Sequence, residues 1–179
     1  LQSADPHLRI IELSRNFGHH KAMMAGLEYA RGDLVFLIDV DLEEPPELLT
    51  WFYDELKAGN WDVVYGLQKE RKGGLIKKIG GRFGWWLIKL LVSVDMPFNL
   101  CTVRLMRSSY VRQLIRHKEH MTAIGGLWVL TGFRQHGLVF DKLSRGESAY
   151  SFVKRLRALL DSVTSFSHVP LYGVFFLGL

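Results

Sequence analysis

The apolar stretch Leu34-Val-Phe-Leu-Ile38, followed at once by Asp39-Val-Asp41, decides the fold of this chain. Five consecutive apolar residues predict a strand covered on both faces, as in a parallel sheet between two layers of helices. Ligands of such sheets bind at the carboxyl ends of the strands. The two carboxylates therefore stand where chemistry is expected, and a pair of charges at that point serves no packing purpose.

The segments on either side of this strand alternate between strand and helix patterns. Leu8–Leu13 alternates well enough for a short strand, and Lys21–Ala30 carries apolar residues at helical spacing. A helix over Glu47–Ala58 follows two prolines, which are accepted in a first turn, and Trp61–Tyr65 has the pattern of a further strand. This order predicts an α/β sandwich around a mostly parallel sheet.

The composition is that of a single folded domain. The chain has 179 residues, of which 48% are hydrophobic and 23% are charged. Disordered, collagen-like and low-complexity classes are therefore excluded. One cysteine, Cys101, cannot close an intrachain disulfide, so a secreted disulfide scaffold is excluded and a reducing compartment is favoured.

The net charge of +5 is concentrated in one segment, residues 69–82, which holds six lysines and arginines against one glutamate. Such a patch suits phosphates, an anionic bilayer or nucleic acid, and a solvated helix face is the plainer interpretation. Trp85 and Trp86 accompany cations within Leu75–Val94, as in helices that lie in a membrane interface. A helix packed on the core with snorkelling lysines is the alternative.

Asp39 and Asp41 can present hard oxygen ligands to one divalent cation, with substrate phosphates completing its coordination. A motif of two aspartates is common in solvated turns, but its position directly after a buried strand favours the metal-binding interpretation. Phosphatases of the haloacid dehalogenase type also use two aspartates there. Glu43 stands where their motif has threonine or valine, and prolines follow at once, which disfavours that class.

The nine residues Asp39-Val-Asp-Leu-Glu-Glu-Pro-Pro-Glu47 resemble the D-A-D-L-Q-x-P-P-E signature of GT-A-fold, family 2 glycosyltransferases that make polyprenyl-phosphate sugars. This is the group of dolichyl-phosphate mannose synthase and the bacterial undecaprenyl-phosphate sugar transferases. Ser14-Arg-Asn-Phe-Gly18 and Gly146-Glu-Ser-Ala-Tyr-Ser151 are similar to its S-R-N-F-G and G-E-S-K-Y-S. The likeness covers nearly the whole chain, and we expect the family's first strand and P-x-Y-N-E segment before Leu1.

The resemblance implies transfer of a sugar from a UDP- or GDP-linked donor to undecaprenyl or dolichyl phosphate, with inversion, in cell-envelope, O-antigen or lipid-linked glycan synthesis. It implies Mg²⁺ or Mn²⁺ on the catalytic residues Asp39 and Asp41, although Asp39 could face the ribose or the sugar instead. A phosphate monoester, with a second pKa of about 6, is already an anion near neutral pH and needs no strong base. Positioning two anions and neutralising the leaving diphosphate is then the main task.

The resemblance also suggests binding residues. Arg15 and Asn16 are assigned to the nucleotide sugar together with the two aspartates and Arg145, and a helix cap is the plainer role for Asn16. The acceptor phosphate and the membrane surface are assigned to a set of basic and hydroxyl side chains: Arg71, Lys77, Lys78, Arg82, Arg104, Lys142, Ser148 and Tyr150.

Several residues depart from the family pattern or take no part in it. Thr102 replaces the acidic residue of G-D-F-R-L that many members carry. Leu143 replaces an arginine three positions before the glycine, so that Arg145 or Lys142 would supply the charge. The adjacent His19 and His20 point apart on a helix and are interpreted as surface or packing residues.

Three regions are expected along the chain. Residues 1–150 would form the catalytic domain, 151–168 an amphipathic juxtamembrane helix, and 169–179 the start of a transmembrane segment. The positive-inside rule then places the domain at the cytoplasmic face of the inner membrane. A polysaccharide synthase of the same fold, although Q-x-x-R-W is absent from the sequence, and a non-catalytic module that binds anionic membranes are the alternatives. No nucleic-acid partner is expected, and the oligomeric state is left open.

Overall fold

The computed structural model describes residues 5–69, 97, 99–117, 124–142, 175–176 and 178. Within these ranges, helices and strands alternate through the first half of the chain. In chain order the elements are α1 His19–Tyr29, β1 Leu34–Leu37, α2 Leu48–Ala58, β2 Val63–Gln68, β3 Leu100–Arg107, α3 Ser108–Leu114, α4 Ile124–Leu130 and β4 Gln135–Phe140. The predicted α/β class is confirmed, and so are the two helices predicted around the first strand.

The four strands form one mixed sheet in the order β1-β3-β2-β4. β3 pairs antiparallel with both β1 and β2, whereas β2 and β4 are parallel. The prediction of a mostly parallel sheet is therefore wrong for the hydrogen-bonded pairs, of which two are antiparallel and one is parallel. It holds for the overall direction of the strands. Three strands run the same way, and the reversed β3 lies between two of them. An apolar pattern indicates a buried strand without indicating its direction.

Helices cover both faces of the sheet, and β1 sends alternate side chains to each face. Val35 and Leu37 pack with residues of α1, α3 and α4. Leu34 and Phe36 pack with residues of α2 on the opposite face. The expectation of a strand covered on both faces is thus confirmed, and this packing fixes the position at which the chain leaves β1.

The segment Leu8–Leu13 is not a strand, contrary to the prediction. Its apolar residues Leu8, Ile10 and Ile11 are exposed. Within the described sheet, β1 has a hydrogen-bonded neighbour on one edge alone. Alternation alone does not make a strand: the segment pairs with none of the four described strands, and its apolar side chains stay exposed.

Part of the predicted organisation falls outside the described residues. This applies to 70–96, which contains most of the basic segment, and to the juxtamembrane helix expected over 151–168. Three residues of the expected membrane segment 169–179 are described. In the described ranges, no helix has the length and apolar character needed to cross a membrane.

Candidate active site

The chain turns sharply after β1 and forms what we call the acidic loop, residues 39–44. The backbone N–H of Glu43 donates to Asp41 Oδ1 at 3.0 Å, and Leu42 adopts a left-handed φ of 59°. Short polar side chains that bond the backbone two residues on favour such turns. The turn keeps both aspartates at the carboxyl end of β1, with Asp41 exposed.

Asp39 is paired with a histidine that sequence analysis set aside. Its Oδ1 lies 3.3 Å from His19 Nε2, and its side chain is 19% exposed. His19 is the first residue of α1 and follows Gly18, whose φ is 89°. Gly18 N–H donates to Asn16 Oδ1 at 2.8 Å, so Asn16 shapes the turn into α1.

A topological signal in the sequence could have identified His19. A helix that leads into a strand through a short loop packs antiparallel to that strand. The first residue of α1 must therefore lie at the carboxyl end of β1, where the aspartates were already expected.

Lys142, two residues beyond β4, reaches the other end of the acidic loop. Its Nζ lies 3.1 Å from Glu43 Oε2 and 3.7 Å from Glu44 Oε1. Burial alone would lower the pKa of Lys142, but the hydrogen bond to Glu43 and the two carboxylate charges outweigh burial and raise it. Lys142 is therefore a cation held by the acidic loop, whereas the sequence assigned it to the acceptor phosphate.

Glu44 is the fully buried member of the acidic loop. Within the described part of the chain, neither of its carboxylate oxygens has a hydrogen-bond partner of ordinary geometry. Burial raises the pKa of Glu44, whereas the ammonium of Lys142 and the backbone N–H groups of Val103 and Asp39 offset part of that rise. Glu44 was not predictable as a site residue, because nothing in a run of two glutamates distinguishes the buried one.

Arg104 lies inside the protein and not on a membrane-facing surface. Its side chain is fully buried, and its Cζ lies 3.0 Å from the centroid of the Trp128 ring. Nε and Nη2 donate to the carbonyl oxygens of Thr102 and Cys101, at 3.2 and 3.3 Å. Burial lowers its pKa to about 9, which still leaves it charged near neutral pH. The expected contact with lipid headgroups is not available to a side chain with no exposed surface.

Of the remaining assigned residues, only Arg15 lies in the described part of the chain. Arg15 is exposed, and its guanidinium carbon lies 4.5 Å from the centroid of the Phe17 ring. The others are outside the described residues: Arg71, Lys77, Lys78, Arg82, Arg145, Ser148 and Tyr150.

The protein groups at this sheet edge suit a hard divalent cation that is shared with a phosphate ligand. Asp39 and Asp41 supply carboxylate oxygens, which Mg²⁺ and Mn²⁺ favour. Among the described residues, no three His, Cys, Asp or Glu side chains converge closely enough to hold a metal. A cation here would take its remaining ligands from water and from the phosphates of a substrate, as Mg²⁺ commonly does.

An α/β sandwich with acidic side chains at the carboxyl edge of its sheet belongs to the broad class of α/β proteins that bind their ligands at that edge. The model of the family described as Glycosyl transferase family 2 matches residues 1–127. This chain therefore belongs to glycosyltransferase family 2. The resemblance seen in the acidic motif is confirmed.

Curated relatives match almost all of this chain. A Mycobacterium tuberculosis protein named as a glycosyltransferase is 47% identical over 178 residues, or 99% of this chain and 52% of the relative. The uncharacterized glycosyltransferase YkcC of Bacillus subtilis is 36% identical over 170 residues, 93% of this chain and 52% of the relative. An undecaprenyl-phosphate 4-deoxy-4-formamido-L-arabinose transferase of Shewanella sediminis is 32% identical over 171 residues, 93% of this chain and 51% of the relative. The chain thus spans about half the length of these relatives.

Proposed function

We propose that this chain is the catalytic domain of an enzyme that transfers a sugar from a nucleotide diphosphate to a polyprenyl phosphate at the cytoplasmic face of a membrane. One observation carries the proposal: a family 2 glycosyltransferase domain places the acidic loop at the carboxyl end of β1. Relatives named as undecaprenyl-phosphate transferases, which match 93–99% of this chain, support the acceptor class.

In this proposal, Asp41 and Asp39 would hold Mg²⁺ or Mn²⁺. A bound cation supplies neutralisation of the negative charge on the leaving diphosphate. An oxygen of the acceptor phosphate attacks the anomeric carbon opposite the diphosphate, the bond to the diphosphate breaks, and the configuration inverts. Because the acceptor is already an anion, Thr102 in place of an acidic residue is compatible with turnover.

The basic segment 69–82, together with Ser148 and Tyr150, would serve the acceptor. Arg71, Lys77, Lys78 and Arg82 are proposed to meet the lipid phosphate and anionic headgroups, since cations near an anionic bilayer are attracted to it. Ser148 and Tyr150 would add hydroxyl donors, and Arg145 would face the donor. The membrane location of the domain is part of the proposal.

The test is calorimetric titration of UDP- and GDP-sugars into the full-length protein, with and without Mn²⁺. Asp41→Asn retains the oxygen that accepts the Glu43 N–H and removes one charge. We expect metal-dependent binding of one donor, weakened by about a hundredfold or more in this variant, since a lost charged ligand costs several kcal/mol. Asp54→Asn, at an exposed position on α2, is the matched control and should bind as the wild type does.

Two outcomes would contradict the proposal. Equal donor affinity in Asp41→Asn and wild type would separate the acidic loop from the donor. Absence of donor binding, together with retained binding to anionic vesicles, would favour the non-catalytic membrane module.

A further inference from the structure

The acidic loop concentrates negative charge that must be compensated. Four carboxylates fall within six residues: Asp39, Asp41, Glu43 and Glu44. His19 lies against the first of them, and Lys142 contacts the last two. The loop is therefore held at its two ends by side chains from α1 and from the segment after β4.

The contact with Lys142 is a condition for the buried position of Glu44. A carboxylate removed from water without hydrogen bonds is strongly unfavourable unless a cation lies nearby. Glu44 is fully buried, and the backbone N–H groups of Val103 and Asp39 are its weak polar neighbours, outside ordinary hydrogen-bond geometry. The Lys142 ammonium, 3.7 Å away, is the cation that lies against it. Loss of that ammonium would leave a buried charge uncompensated.

The same ammonium is linked to Asp41 through one intermediate residue. The side chain of Glu43 pairs with Lys142, and its backbone N–H donates to Asp41 Oδ1. A shift of Glu43 therefore moves the hydrogen-bond donor that orients the Asp41 carboxylate.

We propose that Lys142 is a positioning residue that fixes the conformation of the acidic loop through Glu43 and Glu44. It sets the direction of Asp41 without touching the substrate. Its effect on donor affinity rests on the proposed function, whereas its effect on the loop does not.

The first experiment measures hydrogen exchange of backbone amides in the full-length protein, without ligand. In Lys142→Met, the Glu43 amide, which donates to Asp41 Oδ1, should exchange about tenfold faster or more. The amides of β2 and β3 should keep their wild-type rates, because local opening is separate from global unfolding. Lys142→Arg retains the cation and should restore slow exchange. Lys57→Met, on the opposite end of α2 from the loop, is the matched control and should leave the loop unchanged.

The second experiment adds Glu44→Gln to Lys142→Met. Removing the buried charge should recover a large part of the lost protection, because no uncompensated carboxylate is left. In the same proteins the donor dissociation constant should rise in Lys142→Met and recover in Lys142→Arg.

The outcomes separate the two ideas. Faster exchange confined to the loop and reversed by arginine supports the positioning role, even if no nucleotide sugar binds to the wild type, in which case the proposed function fails alone. Unchanged loop exchange, an equal acceleration throughout the domain, or no rescue by arginine would overturn the positioning role.

Discussion

At the scale of single residues, the acidic loop contains carboxylates in two different environments. Asp41 is exposed and open to a ligand, whereas Glu44 is buried and serves as an anchor. Asp39 lies between these extremes and is paired with His19. Exposure, more than residue type, separates the side chain suited to a ligand from the one that holds the loop.

A second group of residues buries polar atoms beneath the sheet. Arg104 stacks on Trp128, and the hydroxyl of Tyr110 donates to the carbonyl oxygen of Trp128 at 2.8 Å. Burial raises the pKa of Tyr110 to about 12. The Tyr110 hydroxyl therefore ties α3 to α4 in its protonated form.

Tyr110→Phe is expected to lower the free energy of unfolding by about 1–2 kcal/mol at neutral pH, because a buried hydrogen bond is lost. The native hydroxyl has a pKa above its ordinary value of 10.0, so its contribution is complete below pH 10 and is lost as the pH rises towards 12. The stability difference between wild type and variant should shrink over that interval. Urea unfolding at pH 7 and at steps through pH 10–12 measures it.

The exposed Tyr29 provides the control for this prediction. Tyr29→Phe should change the free energy of unfolding by less than about 0.5 kcal/mol at pH 7. A difference between wild type and Tyr110→Phe that stays constant up to pH 12 would contradict the assignment.

At the scale of elements, close packing of β2 against its neighbours depends on one glycine. A Cβ at Gly66 would lie 2.6 Å from a ring carbon of Phe140 and 2.7 Å from a methyl group of Val103. Both side chains belong to the core that α2 covers. The absence of a side chain at Gly66 lets β2, β3 and β4 pack tightly beneath that helix.

Gly66→Ala should therefore lower the free energy of unfolding by about 1–3 kcal/mol, because overpacking displaces core side chains. Gly26 in α1 is the matched control, since a Cβ there meets no atom within 4 Å. Gly26→Ala should raise stability by up to about 1 kcal/mol, as alanine favours helix. Urea denaturation of both variants tests the pair, and equal effects of the two substitutions would refute the packing argument.

The elements that sequence could predict are those with strong local patterns. β1 was predictable from five apolar residues and α2 from the prolines before it. The segment Leu8–Leu13 carries a strand pattern but pairs with none of the described strands. Thr102 and Arg104 weaken the apolar pattern of β3. The pairing of Lys142 with Glu43 joins residues far apart in sequence, so neither neighbourhood indicates it.

At the scale of the whole molecule, the charged side chains at the two ends of the strands differ in the groups that they contact. At the edge opposite the acidic loop, Asp62 accepts the backbone N–H of Arg134 at 3.1 Å, and Arg107 donates to the carbonyl oxygen of Trp61 at 3.0 Å. The charged side chains at that end form hydrogen bonds with backbone groups of the neighbouring turns. The exposed carboxylate of Asp41 at the other edge makes that edge the candidate for ligand binding.

The basic segment predicts attachment of the full-length protein to anionic membranes. Each lysine close to such a surface contributes about 1 kcal/mol, so Lys77→Gln with Lys78→Gln should weaken binding to phosphatidylglycerol vesicles by about thirtyfold. Lys57→Gln on α2 should have little effect, and high salt should weaken wild-type binding. Vesicle sedimentation measures these affinities. Unchanged binding in the double variant would mean that the two lysines belong to a solvated face.

The position of β3 between β1 and β2 also has a consequence for protein synthesis. β1, α2 and β2 leave the ribosome before β3, yet the two strands have no native hydrogen bonds to each other, because β3 separates them. Until residues 100–107 emerge, both strands present unpaired edges towards the same gap, and direct β1–β2 pairing is a competing misfolded state. The native sheet therefore forms only if β1 and β2 remain unpaired with each other until β3 is synthesised and pairs with both.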